Sequence, residues 1–185
     1  MKLGMMLGGL VLVGAAPAFA DSAFKFDKGS ISYTLIHKAH TSVGVNKSLD
    51  GAAVIKDDTL LAQVRATVAE FDSGNSGRDA HMKETTEITK YPYVTLKGKA
   101  KGFKMPDKFP ADVKVNLDAD VEFHGTKVSY TVPLELHFDS ATSVNVKTHF
   151  NISLDAHKVE RPSLMFVPVE DDVKIDVDAT FAPKG

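Results

Sequence analysis

From residue 113 onward the chain alternates with few breaks. Val113, Val115, Leu117, Ala119, Val121 and Phe123 take every second position, and Lys114, Asn116, Asp118, Asp120 and Glu122 take the others. After His124-Gly125 the rhythm resumes, with Val128, Tyr130, Val132, Leu134, Leu136 and Phe138 set against Ser129, Thr131, Pro133, Glu135 and His137. A period of two sends successive side chains to opposite faces of a strand, so this pair predicts a β-hairpin with one apolar and one wet face. Pro133 falls on the outward face, where a bulge is expected because proline cannot donate to a ladder. Residues 144–154 and 173–181 repeat the pattern. Upstream, Phe24 and Phe26 begin a strand, and Ile31, Tyr33 and Leu35 continue it after Lys28-Gly29. A further strand is expected over residues 60–71, with Leu60, Ala62, Val64, Ala66 and Val68 on one face. In residues 94–100, Gly98 and Ala100 either leave room on the apolar side or mark a bend.

The count is about eight strands, several of about ten to twelve residues, each with one face to bury. Long antiparallel strands of this kind form either a sandwich or a barrel. Hairpin connections and one helical insertion favour an up-and-down barrel: an all-β, eight-stranded antiparallel barrel with one short helix. Such a barrel is wide enough to be filled by side chains or to hold one small ligand. Its inner faces carry Val, Leu, Ile, Ala and Phe, with Thr148 and Thr34 as the polar exceptions. A cavity here would be greasy and suited to a hydrocarbon chain, and alternation names Val64, Leu96, Leu117, Val121, Val132, Leu136, Phe150 and Ile175 as its lining.

One stretch does not alternate. Gly74 and Gly77 break the preceding strand, and residues 78–90 are polar, with Met82 and Ile88 among the few apolar positions. That composition predicts a short surface helix, ended by Pro92 because the residue before a proline is pushed toward extended geometry. Residues 104–110 form a loop, since Pro106 and Pro110 cannot join a ladder. Residues 157–169 are irregular yet carry the apolar cluster Leu164-Met165-Phe166-Val167, expected to close one barrel end or to face a partner or membrane.

The first twenty residues have a different character. Lys2, an apolar run over residues 3–16 and Ala18-Phe19-Ala20 make a secretory signal peptide with an A-x-A cleavage site, so residues 1–20 are expected to be removed and residues 21–185 to form one domain. Without Lys2 the chain carries 21 basic against 24 acidic residues, interspersed and with no basic stripe, which disfavours nucleic-acid binding. No membrane span is expected after cleavage. Cysteine is absent, so no disulfide supports the fold.

Arg78-Asp79-Ala80-His81-Met82, followed by Lys90-Tyr91-Pro92, resembles the Arg-Asp-x-His-Leu/Met … Tyr-Pro signature of the YceI-like family. His37, Ser42, Gly44 and Gly51 resemble a second pattern of that family, where the chain turns between its first two long strands, and Arg161-Pro162-Ser163-Leu164 resembles a segment before its last strand. The resemblance covers residues 24–181. It implies a lipocalin-like barrel, a periplasmic location and binding of an amphiphile with a long apolar tail, such as a polyisoprenoid, an isoprenoid quinone or a fatty amide. No other cofactor is implied, and a homodimer is left open.

Candidate polar residues each have two readings. Arg78, Asp79 and His81 either fix a ligand's polar end at the barrel mouth or anchor the helix, Arg78 and Asp79 by capping and pairing, His81 through a backbone carbonyl. Tyr91 sets the entry into the next strand, and His37 sits at a strand end. The seven histidines include His37 and His40 three apart and His137 and His149 on wet faces. With no Cys, no His-Glu-x-x-His and no carboxylate–His cluster in the sequence, no metal site is expected. No Gly-x-Ser-x-Gly or nucleotide fingerprint occurs, so no enzyme is expected. Two alternatives stay open beside a lipid carrier: a packed-barrel envelope stress or interaction module, and an enzyme on a lipid substrate.

Overall fold

The structure, a computed structural model, describes residues 22–164 and 166–183. The signal-peptide reading therefore lies outside the described residues. Eight long strand positions close into one antiparallel barrel. In chain order they are β1 (Ser22–His37), β2 (His40–Asn46) with β3 (Leu49–Lys56), β4 (Thr59–Thr67), β5 (Tyr93–Lys101), β6 (Ala111–Phe123), β7 (Thr126–Ser140), β8 (Ser143–Ser153) and the last strand. Before that last strand a two-residue ribbon forms from β9 (Ser163–Leu164) and β10 (Val167–Pro168), and β11 (Asp172–Ala182) then pairs with β8 and β1. Each neighbour is antiparallel and mostly consecutive in sequence, as short hairpin turns dictate.

β2 and β3 act as one strand broken at Lys47-Ser48. β2 pairs with the end of β1, and β3 with its beginning. The break is held by Asn46, which is wholly buried: its amide donates to the Thr67 carbonyl (3.0 Å), and its side-chain oxygen accepts from the Ser48 N–H (2.7 Å). β1 also carries a register shift between Phe26 and Lys28, which explains the interruption in its sequence pattern.

Two expectations need correction. The strand foreseen to residue 71 ends at Thr67, followed by a 3-10 turn (Val68–Glu70). The reason is Pro92: β4 pairs with β5 only as far as Thr67 and Tyr93, and the Val68 N–H turns to the Pro92 carbonyl instead (2.9 Å). Pro133 sits at no bulge. It pairs in register with Asn116, and the β7–β8 ladder ends at Leu134, so proline interrupts no rung on that side.

The helix α1 (Ser76–Thr85) is shorter than the polar segment suggested; residues 86–90 form turns. Asn75 caps it, accepting from the Arg78 N–H (3.0 Å), and no residue of the helix is buried.

The two barrel ends differ. At the end away from α1, Phe138 (1% exposed) packs with Phe24, Phe103 and Phe109, each with ring centroids 6.4 Å away. The loop between β5 and β6 delivers Phe103 and Phe109, so the proline-containing segment 104–110 is the barrel's floor. At the α1 end, a second cluster of Ile152, Leu154, Val159, Val169, Val173 and Ile175 lies under the ribbon. Gly98 lets the Leu117 side chain fill the space its Cβ would take, so of the two readings of Gly98 the close-packing one applies.

Gly29 marks the closure of the barrel. Its φ is +132°, and a Cβ there would collide with the Asp178 carbonyl and the Ala179 backbone of β11. Gly29→Ala is therefore expected to lower stability by about 1–3 kcal/mol from backbone strain alone, and by more if the β1–β11 ladder opens. Urea unfolding checks this; an unchanged midpoint contradicts it.

Candidate functional site

Between the aromatic floor and α1 the barrel encloses a cavity of about 430 Å³. That lies within the range of small-molecule sites, roughly 300–1,000 Å³. Strand register explains its wall. Val64 pairs with Leu96, Leu96 with Val121, Leu117 with Val132, Leu136 with Val146, and Phe150 with Ile175. All eight residues named from alternation line the cavity. Val64, Leu96 and Phe150 point inward yet keep part of their surface exposed, because the interior is not filled across its middle. Ala62 and Ala66, flanking Val64 on β4, and Ala53, paired with Ala62, line it with small side chains.

The mouth is built by α1, the β1–β2 turn and the ribbon. His37 is buried and fully satisfied: the Ala39 N–H donates to Nδ1 (3.1 Å), leaving Nε2–H to donate to the Val167 carbonyl (3.0 Å). It ties the β1 end to the ribbon. The Glu170 N–H adds a bond to the Ile36 carbonyl (2.8 Å). Of the Leu164–Val167 cluster, Met165 lies outside the described residues, Val167 is held through its carbonyl, and Phe166 stands wholly exposed with φ +65°. Pro162 and Ser163 line the cavity beside it.

Arg78, His81 and Met82 share one face of α1, at spacings of three and four, and line the mouth. The Arg78 guanidinium donates from Nε to Ser73 Oγ (2.9 Å), from one terminal nitrogen to the Ser73 carbonyl (2.8 Å) and from the other to Ser42 Oγ (3.4 Å). Asp79 turns away from the cavity and accepts from the Ser73 N–H (3.1 Å) and hydroxyl. Neither residue caps the helix; both grip Ser73. His81 is exposed, and the carbonyl bond expected of it is not among those of the described residues. Tyr91 does not reach the cavity. It packs on His124 (ring centroids 4.8 Å) at the β6–β7 turn and receives Lys90 on its face.

Sequence reasoning missed Tyr33, His40 and Ser42 as mouth residues. Tyr33 was legible as inward-facing from alternation; its ring covers Gly44 and packs on Phe71 (5.4 Å). Its hydroxyl is held above the usual tyrosine range by burial, then by Asp79, with Arg78 opposing.

A side-chain relay closes a parting of the wall. Where β7 and β8 separate on the mouth side of Leu134, the Ser153 N–H donates to the Tyr130 oxygen (3.2 Å), and the Tyr130 hydroxyl reaches His157 Nε2 (3.2 Å). His157 Nδ1–H in turn donates to the Thr126 carbonyl (3.0 Å). The carbonyl can only accept, so Nδ1 carries a proton; burial lowers the His157 pKa and favours the neutral ring, in which the Tyr130 hydroxyl donates to Nε2. Near the end of that ladder the Thr148 hydroxyl is buried without a partner; Thr34 faces the other side from Tyr33.

His137 and His149 lie on the outer wall, each 2.7 Å from an aspartate (Asp112 and Asp176). Among the described residues no group of three or more His, Cys, Asp or Glu is placed to hold a metal ion, and no helix is long and apolar enough to cross a membrane.

Two predictions follow from this geometry. Phe138→Ala removes a floor side chain and is expected to cost about 3–5 kcal/mol, whereas Phe150→Ala, in the cavity wall, costs less than half as much. Denaturant unfolding of the pair decides it, and equal losses contradict a hollow interior. The second concerns pH. Burial pushes the His157 pKa below its ordinary 6.5; the carbonyls of Thr126 and Phe123 oppose the shift, and His124 adds to it. An unfolded chain then takes up the proton first, so stability falls as pH drops through 6.5. His157→Gln is expected to flatten that fall between about pH 7.5 and 5.5. Equal pH slopes in the two proteins contradict it.

Comparison with known proteins places this barrel. A sequence model described as the YceI-like domain matches residues 22–181. A polyisoprenoid binding domain from Saccharophagus degradans, implicated in plant cell wall breakdown, superposes with a TM-score of 0.71 at 17% identity, covering 86% of this chain and 98% of that one. BcnA from Burkholderia cenocepacia superposes with a TM-score of 0.67 at 17% identity, over 82% of this chain and 95% of that one. A Campylobacter jejuni YCEI protein gives a TM-score of 0.53 at 12% identity, over 100% and 94%. At these identities the likeness to solved structures is one of fold. No curated protein matches the chain. The sequence match runs from the first residue of β1 to Phe181 in β11, and this chain belongs to the YceI-like family.

Proposed function

We propose that this chain is an exported, periplasmic binding protein that holds the long apolar tail of an amphiphile inside its barrel. The observation that carries the reading is the cavity itself: an interior walled by Val, Leu, Ala and Phe, closed at the floor by aromatic rings, with polar side chains gathered at the mouth. A polyisoprenoid, an isoprenoid quinone or a fatty amide has the matching shape. Each buried methylene contributes about 0.8 kcal/mol, so a tail of roughly ten carbons supplies on the order of 8 kcal/mol before binding costs. No specific hydrogen bond is needed along the tail, which suits a wall of Val, Leu, Ala and Phe in which the Thr148 hydroxyl is itself buried. The polyisoprenoid-binding description of one structural neighbour supports the same class of ligand. The signal-like residues 1–20 support the location.

The chain acts by sequestering and carrying its ligand rather than by turning it over. Two of its mouth residues, His37 and Arg78, are engaged in holding the ribbon and α1, and the Ser42 hydroxyl that lines the mouth is bonded to Arg78 rather than to a base.

Filling the cavity tests this. The double variant Ala62→Phe/Val64→Phe places two rings on the cavity-lining face of β4. It is expected to keep the far-UV spectrum of a β-barrel and to lose binding of the apolar probe N-phenyl-1-naphthylamine. Unchanged probe binding in a folded variant contradicts the reading.

A further inference from the structure

We infer that the seam between β7 and β8 is a side hatch through which the apolar tail enters and leaves the cavity, latched by the Tyr130 hydroxyl. The inference rests on the apolar-tail reading above and adds the route. It starts from the ladder. The last pair between the two strands is Leu134 with Thr148, although residues 126–133 of β7 and 149–153 of β8 continue toward the mouth. Both strands stay zipped on their other edges, β7 to β6 as far as the pair Phe123 and Thr126, β8 to β11 as far as Ser153 and Asp172. The parting is therefore a slit in the wall rather than a frayed end. Pro133, the first residue of β7 past the last pair, has no N–H with which to extend the ladder.

Side chains close the slit. Val132 and Leu134 on one lip, and Phe150 and Ile152 on the other, line the cavity. Tyr130 bridges the lips. Its ring packs on Phe150 (centroids 6.4 Å), its oxygen accepts from the Ser153 N–H (3.2 Å), and its hydroxyl reaches His157 Nε2 (3.2 Å). His157 plugs the mouth-side end of the slit from the turn after β8. It is wholly buried, stacked on Tyr130 (5.9 Å) and tied to the Thr126 carbonyl (3.0 Å). One phenol thus joins both lips and the plug. At the closed end the Thr148 hydroxyl is buried without a partner among the described residues, a polar group left over where the rungs stop.

The cost of opening differs along the wall. Parting a laddered stretch breaks a row of backbone hydrogen bonds. Parting the slit breaks the two bonds of Tyr130 and slides apolar side chains past one another. Local opening follows the weakest contacts, so the wall yields more readily here than along the unbroken β6–β7 ladder. The route also suits the shape of a long tail. End-on, a chain must thread past α1, which Arg78 ties to Ser42 and Ser73 and Asp79 ties to Ser73. A slit that runs up to the mouth admits the same chain side-on and leaves α1 in place.

Exchange kinetics test this. Association and dissociation of N-phenyl-1-naphthylamine are followed by stopped-flow fluorescence on the purified protein. Tyr130→Phe removes the latch and is expected to raise both rate constants about fivefold while affinity stays within about twofold. Asp79→Ala, which frees α1 from Ser73 without touching the slit, is expected to leave the rates unchanged. A pair of cysteines gives the converse. Thr131 and Asn151 are exposed on the two lips and face each other if the register of the ladder is continued, and the chain has no cysteine of its own. With Thr131→Cys/Asn151→Cys oxidised, exchange is expected to slow about tenfold or more and to recover on reduction. An oxidised protein that exchanges as fast as the reduced one overturns the hatch, and unchanged rates in Tyr130→Phe overturn the latch. Faster exchange in Asp79→Ala but not in Tyr130→Phe assigns the route to the mouth and overturns both. If one protein fails, through a lost fold or cysteines that do not join, the other decides. Failure of the apolar-tail reading looks different: the probe does not bind at all.

Discussion

Closure of the barrel depends on the contact between β1 and β11. β1 runs for 16 residues and pairs on one edge with β11 and on the other with both β2 and β3. A sheet with one wet face must bury the other against itself, and only the β1–β11 ladder removes its last open edges. Gly29 makes the approach feasible, since any side chain there would meet the β11 backbone. Everything else follows from a closed wall: eight inward faces converge, and their side chains decide whether the space between them fills.

It fills with aromatic rings at the floor and with a smaller aliphatic cluster beneath the ribbon. Phe24, Phe103, Phe109 and Phe138 occupy the floor, and smaller side chains occupy the middle. Interiors normally pack to crystal-like density, and an unfilled apolar space lowers stability. The space left between the two clusters is the observation on which the proposed binding of an apolar chain rests. Hydrogen bonds tie the mouth segments to the barrel. His37 joins β1 to the ribbon, Asn46 bridges the break between β2 and β3, and Arg78 and Asp79 fasten α1 to Ser73.

Most of the barrel was legible in the sequence because its strands face water on one side, which writes burial into every second residue. The same alternation placed Val64, Leu96, Val132 and Phe150 on the inner wall, since register leaves them no other face. What could not be read were features set by two distant segments at once. The early end of β4 at Thr67 is imposed by Pro92, 25 residues later. The smooth passage through Pro133 depends on β8 having already parted from β7. His157 lies in a stretch that reads as irregular, and only the gap between those strands makes it a buried link. At the mouth, the helix cap fell to Asn75 because Arg78 and Asp79 had a partner in Ser73 that spacing alone does not reveal.

The central claim is that the space inside this barrel exists to hold an apolar chain. Native mass spectrometry of the protein purified from its own cells tests that most directly, with organic extraction to identify what is released. The account predicts a stoichiometric adduct that leaves on extraction as an amphiphile with a long isoprenoid or acyl tail. A bare protein mass, unchanged after incubation with a lipid extract of the same cells, would contradict it.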